Sequence, residues 1–129
     1  MIRRFLRQPH NRAKGALAED RAVGWLRRRG YRVLDRNVRN AGGELDLVAR
    51  EGDTLCFVEI KARGTTVFGG AVAAVDRQKR GKLARAARAY LARHPWEGPC
   101  RFDVLAIDLA PESDQPRFTL IRNAFQVEE

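Results

Sequence analysis

The fold is decided by Gly42-Gly43-Glu44-Leu45-Asp46-Leu47-Val48 and by Thr54-Leu55-Cys56-Phe57-Val58-Glu59-Ile60-Lys61, which follows it after a short turn. Both segments alternate apolar with polar residues, a pattern that is typical of half-buried β-strands. The turn between them, Arg50-Glu51-Gly52-Asp53, is polar and contains a glycine. We therefore expect a β-hairpin, with Glu51-Gly52 as its two-residue loop.

Acidic side chains of this hairpin gather on one face of the predicted sheet. The expected register sets Asp46 opposite Phe57 and Glu44 opposite Glu59. Because side chains alternate with period two, the three acids emerge on the same face as Lys61. Like charges directly opposite each other destabilise a strand pair. A divalent cation is the compensation that we expect.

Length and composition indicate a soluble, globular protein. The chain has 129 residues, 44% of them hydrophobic and 32% charged, which is enough for one domain whose core needs neither disulfides nor a structural metal. We expect a basic N-terminal arm over residues 1–11, a single domain over 12–122 and a C-terminal tail over 123–129. No segment has the length of a membrane span or the apolar core of a secretory signal. This predicts a cytoplasmic protein without a membrane partner.

The two cysteines favour the same compartment. Cys56 and Cys100 both lie in apolar, strand-like segments, and neither has the Cys-x-x-Cys spacing of a zinc site. We expect both to be buried as reduced thiols, as in cytoplasmic proteins.

Basic residues flank the acidic hairpin. The formal net charge is +9, and of the 25 Lys and Arg residues twelve precede residue 40 and seven lie between 76 and 93. Such flanks suit a polyanion that is held electrostatically and met at its centre by metal ligands. A basic but solvated surface is the alternative; the distribution favours a nucleic acid. The candidate contacts to it are Arg12, Lys14, Arg36, Arg39, Arg63, Lys79 and Lys82.

A helix is predicted over residues 12–29, with Asn11 as its N-cap. Its apolar face carries Glu19 near the middle. A carboxylate in this position requires a partner, because burying an unpaired charge is unfavourable. The partner is either a bound cation or an arginine such as Arg36 or Arg39.

The remaining pattern predicts strands on both sides of a second helix. The predicted strands are 31–39, 43–48, 54–62, 101–109 and 117–121, and the second helix ends at residue 93. The segment 101–109 is nearly continuously apolar and should be buried on both faces. The strand–helix–strand connection predicts one parallel pair in an otherwise antiparallel sheet. The expected fold is therefore α/β: a mixed sheet of about five strands flanked by helices, in the order α-β-β-β-α-β-β.

The acidic cluster has the residue types that phosphodiester hydrolysis requires. The reaction needs an activated water, charge neutralisation at phosphorus and a stabilised leaving oxygen, and one or two Mg²⁺ ions held by a few carboxylates supply all three. Asp46 and Glu59 would bind the ion, with the backbone carbonyl of Ile60 and, directly or through water, Glu19. Lys61 would orient or deprotonate the attacking water, or neutralise the developing charge.

An ordered set of residues carries a resemblance to known families. The helical Glu19, then Asp46, then Glu59-Ile60-Lys61 resemble the PD-(D/E)xK nuclease superfamily, which has the restriction-endonuclease-like fold. With Gly43-Glu44-Leu45-Asp46-Leu47 and Arg101-Phe102-Asp103-Val104, the chain more narrowly resembles the YraN-like bacterial family of unassigned function. That family is itself similar to archaeal Holliday-junction resolvases.

The resemblance implies a restriction-endonuclease-like fold and a nuclease site. It implies Asp46, Glu59, Lys61 and Glu19 as metal and catalytic positions, with Mg²⁺ as the cofactor and Mn²⁺ able to substitute. Glu44 is a further metal ligand or the partner of an arginine. The implied substrate is DNA, including branched or recombination and repair intermediates, and a homodimer follows by analogy with junction resolvases.

Two other classes of function stay open alongside an endonuclease. One is a nucleic-acid-binding protein that retains the fold and the charge but does not cleave. The other is a structural partner protein in which the acidic cluster supports the fold. The roles of Glu44 and Asp103, the number of metal ions and the shape of the substrate are open as well.

Overall fold

The computed structural model describes residues 9–63, 77–108 and 115–126, with side chains from residue 17 to residue 62 in the first range. The described elements follow one another in the order helix, three strands, helix and two strands, so the predicted α/β class and order are confirmed. Their bounds are α1 Pro9–Arg28, β1 Arg32–Asn40, β2 Gly43–Glu51, β3 Thr54–Arg63, α2 Arg77–Arg93, β4 Cys100–Asp108 and β5 Arg117–Phe125. Among these residues no helix is long and apolar enough to cross a membrane.

The five strands form one sheet in the sequential order β1-β2-β3-β4-β5. β3 and β4 pair in parallel, and the other neighbouring pairs are antiparallel. The predicted single parallel pair is therefore confirmed; the chain between its strands returns through α2, as a parallel pair requires. β4 lies inside the sheet, and its Val104, Leu105 and Ile107 are fully buried, as its apolar sequence predicted.

Side chains of the sheet pack into two hydrophobic cores, one under each helix. Leu83 and Tyr90 of α2 belong to the first core, and Leu26 of α1 belongs to the second. Val104 lies in the α2 core and Leu105 in the α1 core. Because successive strand residues point to opposite faces, the two helices cover opposite faces of the sheet. Each fully buried leucine contributes about 1.5–3 kcal/mol to folding.

The β2–β3 hairpin turns at Gly52-Asp53, not at the predicted Glu51-Gly52. Gly52 has a φ of 61°, in the left-handed region that glycine adopts without strain. The register consequently differs by two residues, so that Val48, and not Asp46, lies opposite Phe57. A shift of two residues preserves the face of each side chain, whereas a shift of one would exchange the faces.

Two predicted element ends are also wrong. α1 begins at Pro9, so Asn11 is inside the helix and is not its cap. Proline is well suited to a first helical turn, because its fixed φ is helical and its missing N–H has no partner there. β5 continues past the predicted end at residue 121 to Phe125, which packs in the α2 core.

The two cysteines differ in their environments, although both are free thiols. Cys56 is buried as expected, and burial raises its pKa to about 12. The expectation of burial is wrong for Cys100, which is exposed. Cys100 is the first residue of β4, so it lies at the end of the sheet and not inside it.

The β1–β2 turn fixes α2 against the sheet. Gly42 lies so close to the helix that a Cβ at this position would overlap the backbone carbonyl of Arg85. The Asn40 side chain donates a hydrogen bond to the carbonyl oxygen of Ala86 at 3.0 Å. Its Oδ1 accepts hydrogen bonds from the N–H groups of Gly42 at 2.9 Å and Gly43 at 3.1 Å. The turn that leads into β2 is thereby held to the middle of α2.

An ionic network around the buried Asp103 joins β4 to β5 and to the hairpin. Asp103 is fully buried; it accepts two hydrogen bonds from Arg101 Nε, at 3.0 and 3.1 Å, and one from the backbone N–H of Asn123 at 2.8 Å. Arg101 also donates to Glu51 at 2.6 Å and to the hydroxyl of Tyr31 at 2.8 Å. Because the charge of Asp103 is fully paired, its role is structural.

Removal of this carboxylate tests the network. We expect Asp103→Ala to lower the free energy of unfolding by about 3 kcal/mol, because the half-buried Nε of Arg101 and the Asn123 N–H lose their acceptor. The loss is measured as a lower midpoint of urea unfolding, while the dependence of the unfolding free energy on urea concentration stays unchanged. Glu44→Ala is the control: Glu44 is 55% exposed and pairs with Arg39, so its loss should change stability by less than about 1 kcal/mol. Similar losses in both variants would contradict the structural role.

Candidate active site

The candidate site lies where β2 and β3 separate. The last paired residues of these strands are Leu47 and Val58. Asp46 is the residue before Leu47 in β2. Its Oδ2 accepts a hydrogen bond from the backbone N–H of Ile60 at 2.9 Å. A side chain therefore replaces the β2 backbone as the partner of β3, which opens a gap between the strands and places a carboxylate in it.

Strict alternation along β2 fails at this point. Leu45 packs in the α2 core and Leu47 in the α1 core, although residues two apart on a regular strand share a face. The neighbouring residue of β1, Asn37, has a φ of 52°. Because of this irregularity, Glu44 does not face Glu59 as the alternation predicted.

Glu44 instead forms an ion pair with Arg39 of β1. The distance from Arg39 Nε to Glu44 Oε1 is 3.3 Å, and the Glu44 side chain is 55% exposed. Of the two roles considered for Glu44, this contact matches the partner of an arginine. Its carboxylate nevertheless lies at the edge of the cleft described below.

Asp46 and Glu59 bring two carboxyl groups together. Glu59 is 6% exposed, and its carboxylate lies within hydrogen-bonding reach of Asp46. Burial, followed by the charge of Glu59, raises the pKa of Asp46 to about 7, although the N–H of Ile60 and the charge of Lys79 act in the opposite direction. Two acids that share one site resist simultaneous ionisation. The pair therefore favours a bound cation or proton.

Two ammonium groups face Glu59 from different elements. Lys61 Nζ, on the same strand, lies 3.5 Å from Glu59 Oε2, and Lys79 Nζ, from the first turn of α2, lies 3.3 Å from the same oxygen. Lys79, also a predicted contact to nucleic acid, is 42% exposed, so it lies at the edge of the acidic site. The negative charge of the pair is thus balanced from β3 and from α2.

Glu19 approaches the gap from α1. Its side chain is 15% exposed, and its Oε1 accepts a hydrogen bond from Asn37 Nδ2 at 2.7 Å. Arg36 is 3.5 Å from the same oxygen and makes a shorter contact, at 2.7 Å, with Asp20. The ion pair with Arg36 that the sequence offered as an alternative is therefore present, but Asn37 is the closer partner.

Asn37 is the site residue that sequence reasoning missed. Asparagine is depleted in β-strands, and this depletion is the signal that could have identified it. Asparagine also tolerates the left-handed conformation better than most residues. In this structure it uses that conformation at 52° to direct its amide to Glu19.

Side chains from α1, β1, β2, β3 and α2 surround a cleft of about 260 Å³. At about 30 Å³ per water molecule, this is room for roughly eight waters, or for an ion with part of its hydration shell and a phosphate group. The lining residues are Glu19, Asn37, Val38, Arg39, Glu44, Leu45, Asp46, Glu59, Ile60 and Lys79.

The donor set at this cleft fits one hydrated Mg²⁺ ion. Mg²⁺ is usually bound by one or two carboxylates and keeps several waters, and Asp46 and Glu59 supply the carboxylates. The carbonyl of Ile60 points toward β2, because a strand residue directs its N–H and C=O to the same side. Within the described ranges no three Asp, Glu, His or Cys side chains converge as a closed metal site. Water and substrate would complete the coordination.

The candidate nucleic-acid contacts differ in their ion pairing and exposure. Arg36 and Arg39 form ion pairs with acidic neighbours, Lys79 lies in the cleft, and Lys82 is exposed on α2. Residues 1–8 of the predicted basic arm lie outside the described residues. The side chains of three further candidates are not among the described ones: Arg12, Lys14 and Arg63.

The fold and the site together define a class: an α/β protein with a mixed five-stranded sheet that places two carboxylates and two lysines where two strands diverge. The model of the family described as "Uncharacterised protein family UPF0102" matches residues 18–107, which include every one of those four side chains. The chain belongs to the UPF0102 family, and the expected YraN-like membership is thereby confirmed.

Similar relatives extend the match over most of the chain. A UPF0102 protein of Geobacter sulfurreducens is 44% identical over 119 residues, which are 92% of this chain and 92% of the relative. One of Cupriavidus metallidurans is 45% identical over 115 residues, covering 88% of this chain and 81% of the relative. One of Pseudomonas aeruginosa is 41% identical over 117 residues, which are 89% of this chain and 94% of the relative.

Two substitutions of Asn37 separate its backbone role from its side-chain role. Both remove the amide that binds Glu19, but only alanine is strained at a φ of 52°. We expect Asn37→Ala to be about 1 kcal/mol less stable than Asn37→Gly, because a Cβ disfavours the left-handed region. Urea unfolding measures the difference. Asn123 is the control, because it has a φ of 51° and an exposed side chain; its alanine and glycine variants should differ in stability by a similar amount. Equal stability of the two Asn37 variants would contradict a left-handed backbone at Asn37.

Proposed function

We propose that this protein is a divalent-metal-dependent endonuclease that hydrolyses DNA phosphodiester bonds and belongs to the PD-(D/E)xK superfamily. The observation that carries the proposal is the carboxyl pair of Asp46 and Glu59 at the β2–β3 divergence, with Lys61 Nζ 3.5 Å from Glu59. The order of these residues along the chain, preceded by the helical Glu19, is the order that the superfamily uses.

Asp46, Glu59 and the carbonyl of Ile60 would hold the metal ion, and Glu19 would contribute directly or through water. When bound, Mg²⁺ supplies Lewis-acid activation of the attacking water and neutralises charge on the phosphate. Mn²⁺ would substitute, because carboxylate, carbonyl and water ligands suit both ions. The raised pKa of Asp46, about 7, reflects burial and repulsion by Glu59, and a bound cation would relieve that repulsion.

Lys61 has two possible tasks in the reaction, and both use the position of its Nζ beside Glu59. In hydrolysis the water oxygen attacks phosphorus, the bond to the leaving oxygen breaks, and a proton leaves the water. A neutral Lys61 would accept this proton as a general base. A protonated Lys61 would stabilise the negative charge that develops on the phosphoryl oxygens.

The proposed substrate is DNA, including branched intermediates of recombination or repair. Basic charge on both sides of the hairpin supports a polyanion, and the resemblance to archaeal junction resolvases supports a branched one. A homodimer belongs to this proposal, because a two-fold axis would present two equivalent clefts to one junction.

A nucleic-acid-binding protein that does not cleave is the second candidate. The contacts of Glu19 favour it: the carboxylate accepts a hydrogen bond from Asn37 at 2.7 Å and lies 3.5 Å from Arg36, so it is already occupied. Such a site would hold a metal weakly, while the basic surface would still bind nucleic acid.

Cleavage assays separate the two candidates. Linear duplex, single-stranded and four-way-junction DNA are incubated with Mg²⁺ or Mn²⁺ and with wild type, Glu59→Gln or Lys61→Met. We expect both variants to cleave roughly 10²-fold more slowly or worse, because each removes a charge that acts on the transition state. Asp20→Asn, which changes an acid that is 66% exposed beside Glu19, should cleave as wild type does.

The same assays contain the outcomes that contradict the proposal. Equal cleavage by wild type and Glu59→Gln would identify a contaminating nuclease and refute the site. Binding by wild type without cleavage of any of the three DNA forms, in either metal, would favour the second candidate.

Thermal melting with Mg²⁺ tests the metal site independently of activity. A ligand present at ten times its Kd stabilises the folded state by about 1.4 kcal/mol, so we expect the wild-type Tm to rise on titration. Asp46→Asn should melt higher than wild type without metal, because the repulsion of Glu59 is gone, and should lose the Mg²⁺-dependent rise. Asp20→Asn should keep that rise. The same rise in Asp46→Asn as in wild type would place the ion elsewhere.

A further inference from the structure

The outward face of α2 is strongly basic. The helix carries seven Lys or Arg residues and no acid over Arg77–Arg93. Three of them, Lys82, Arg85 and Arg88, are exposed and follow one another at intervals of three residues, which places them side by side on one helix face. None of the ion pairs found among the described residues involves these three cations. Their charge is therefore directed to solvent.

The other residues of this outward face are small or uncharged. Gly81, Ala89, Ala92 and the uncharged, exposed Gln78 lie among the cations, whereas the large apolar residues of α2, such as Leu83 and Tyr90, are buried in the core. A membrane-surface helix needs an exposed apolar face, and a protein interface is usually anchored by exposed aromatic residues. This face offers neither. Its charge and its small side chains suit the close approach of a phosphate backbone.

The basic face is continuous with the cleft. Lys79, one turn before Lys82, lines the cleft and lies 3.3 Å from Glu59. The backbone of α2 at Arg85 is in contact with Gly42, in the turn that begins β2. A polyanion lying along the helix would therefore reach the carboxylates without leaving a positively charged surface.

We infer that the outward face of α2, through Lys82, Arg85 and Arg88, binds the phosphate backbone of duplex DNA and guides one strand to the cleft. This inference rests on the proposed function for the identity of the polyanion. The three residues span about 9 Å of helix at 1.5 Å per residue, which lies between the axial spans of about 7 and 10 Å of three and four successive phosphates of one strand. Contacts of this kind fix the position of the duplex and carry no base specificity.

The test is DNA binding under conditions in which no cleavage occurs. Fluorescence anisotropy with a labelled duplex in EDTA, between 50 and 200 mM NaCl, compares wild type with the triple variant Lys82→Gln, Arg85→Gln and Arg88→Gln. We expect the Kd of the triple variant to rise on the order of ten- to a hundredfold. The negative slope of log K against log salt should become less steep by about 2–3, because each lost phosphate contact removes about 0.9 from its magnitude.

A matched variant controls for total charge. Arg21→Gln, Arg27→Gln and Arg28→Gln change three exposed arginines of α1, on the other face of the sheet, and like the α2 variant remove three positive charges from a net charge of +9. Its salt slope should fall by less than about 1. Equal losses in the two variants would show that binding follows net charge alone and would overturn the inference. An unchanged salt slope in the α2 variant, or a wild type that does not bind DNA, would overturn it too.

Two further measurements keep the outcomes distinct. Sedimentation with phosphatidylserine vesicles examines a membrane as the alternative polyanion: loss of vesicle binding in the α2 variant, with DNA binding retained, would overturn the inference. Because binding is measured without metal, a wild type that binds through α2 but never cleaves refutes the proposed function and leaves the interface standing. If the triple variant does not fold, Arg85→Gln and Arg88→Gln are measured singly, each with an expected fall of about 1 in the salt slope.

Discussion

The site depends on one hydrogen bond, from the backbone N–H of Ile60 to the carboxylate of Asp46 at 2.9 Å. In a regular hairpin this N–H would bond to the backbone of the neighbouring strand, and the strands would stay 4.7–4.9 Å apart. Here a side chain is the acceptor, so the strands separate while the N–H remains satisfied. The separation makes room for Glu59 and brings it beside Asp46, and it also admits Glu19 from the opposite helix.

The two acidic clusters of the protein show what distinguishes a structural carboxylate from one suited to bind a cation. Asp103 is fully buried and accepts three hydrogen bonds, so its charge is met by donors of the fold. Among the described residues, Asp46 accepts one backbone hydrogen bond and lies against a second acid; burial, followed by the charge of this Glu59, raises the pKa of Asp46 to about 7. The described cations that pair with Glu59 are Lys61 and Lys79, at 3.5 and 3.3 Å. The first cluster is complete within the fold, whereas the second favours an additional positive charge.

Local patterns were sufficient for the class of fold, the element order and the parallel pair, because these follow from periodicity and from the residues that interrupt it. The same patterns placed Glu59 and Lys61 on one face correctly in principle, since a register error of two residues does not change faces. Asp46 also meets Glu59, as these patterns predicted, but not through a regular register: β2 is irregular between Leu45 and Leu47, and the Asp46 carboxylate bonds to the N–H of Ile60. The sequence pattern did not identify Asn37 as a site residue, because its left-handed φ of 52° is set by the fold and follows from no spacing rule.

α2 connects the chemistry of the cleft to the charge of the surface, and its position is fixed by the strand that carries Asp46. Gly42 and Asn40 hold the turn before β2 against the helix backbone, at a closeness that a Cβ would prevent. The position of the α2 backbone relative to β2 is consequently fixed by the close approach of Gly42 and by the Asn40 side chain. A polyanion aligned on the outward face of α2 would be aligned with the cleft as well, because both belong to one rigid arrangement of helix, turn and strand. Orientation of this kind is a large part of how a positioned catalytic group accelerates a reaction.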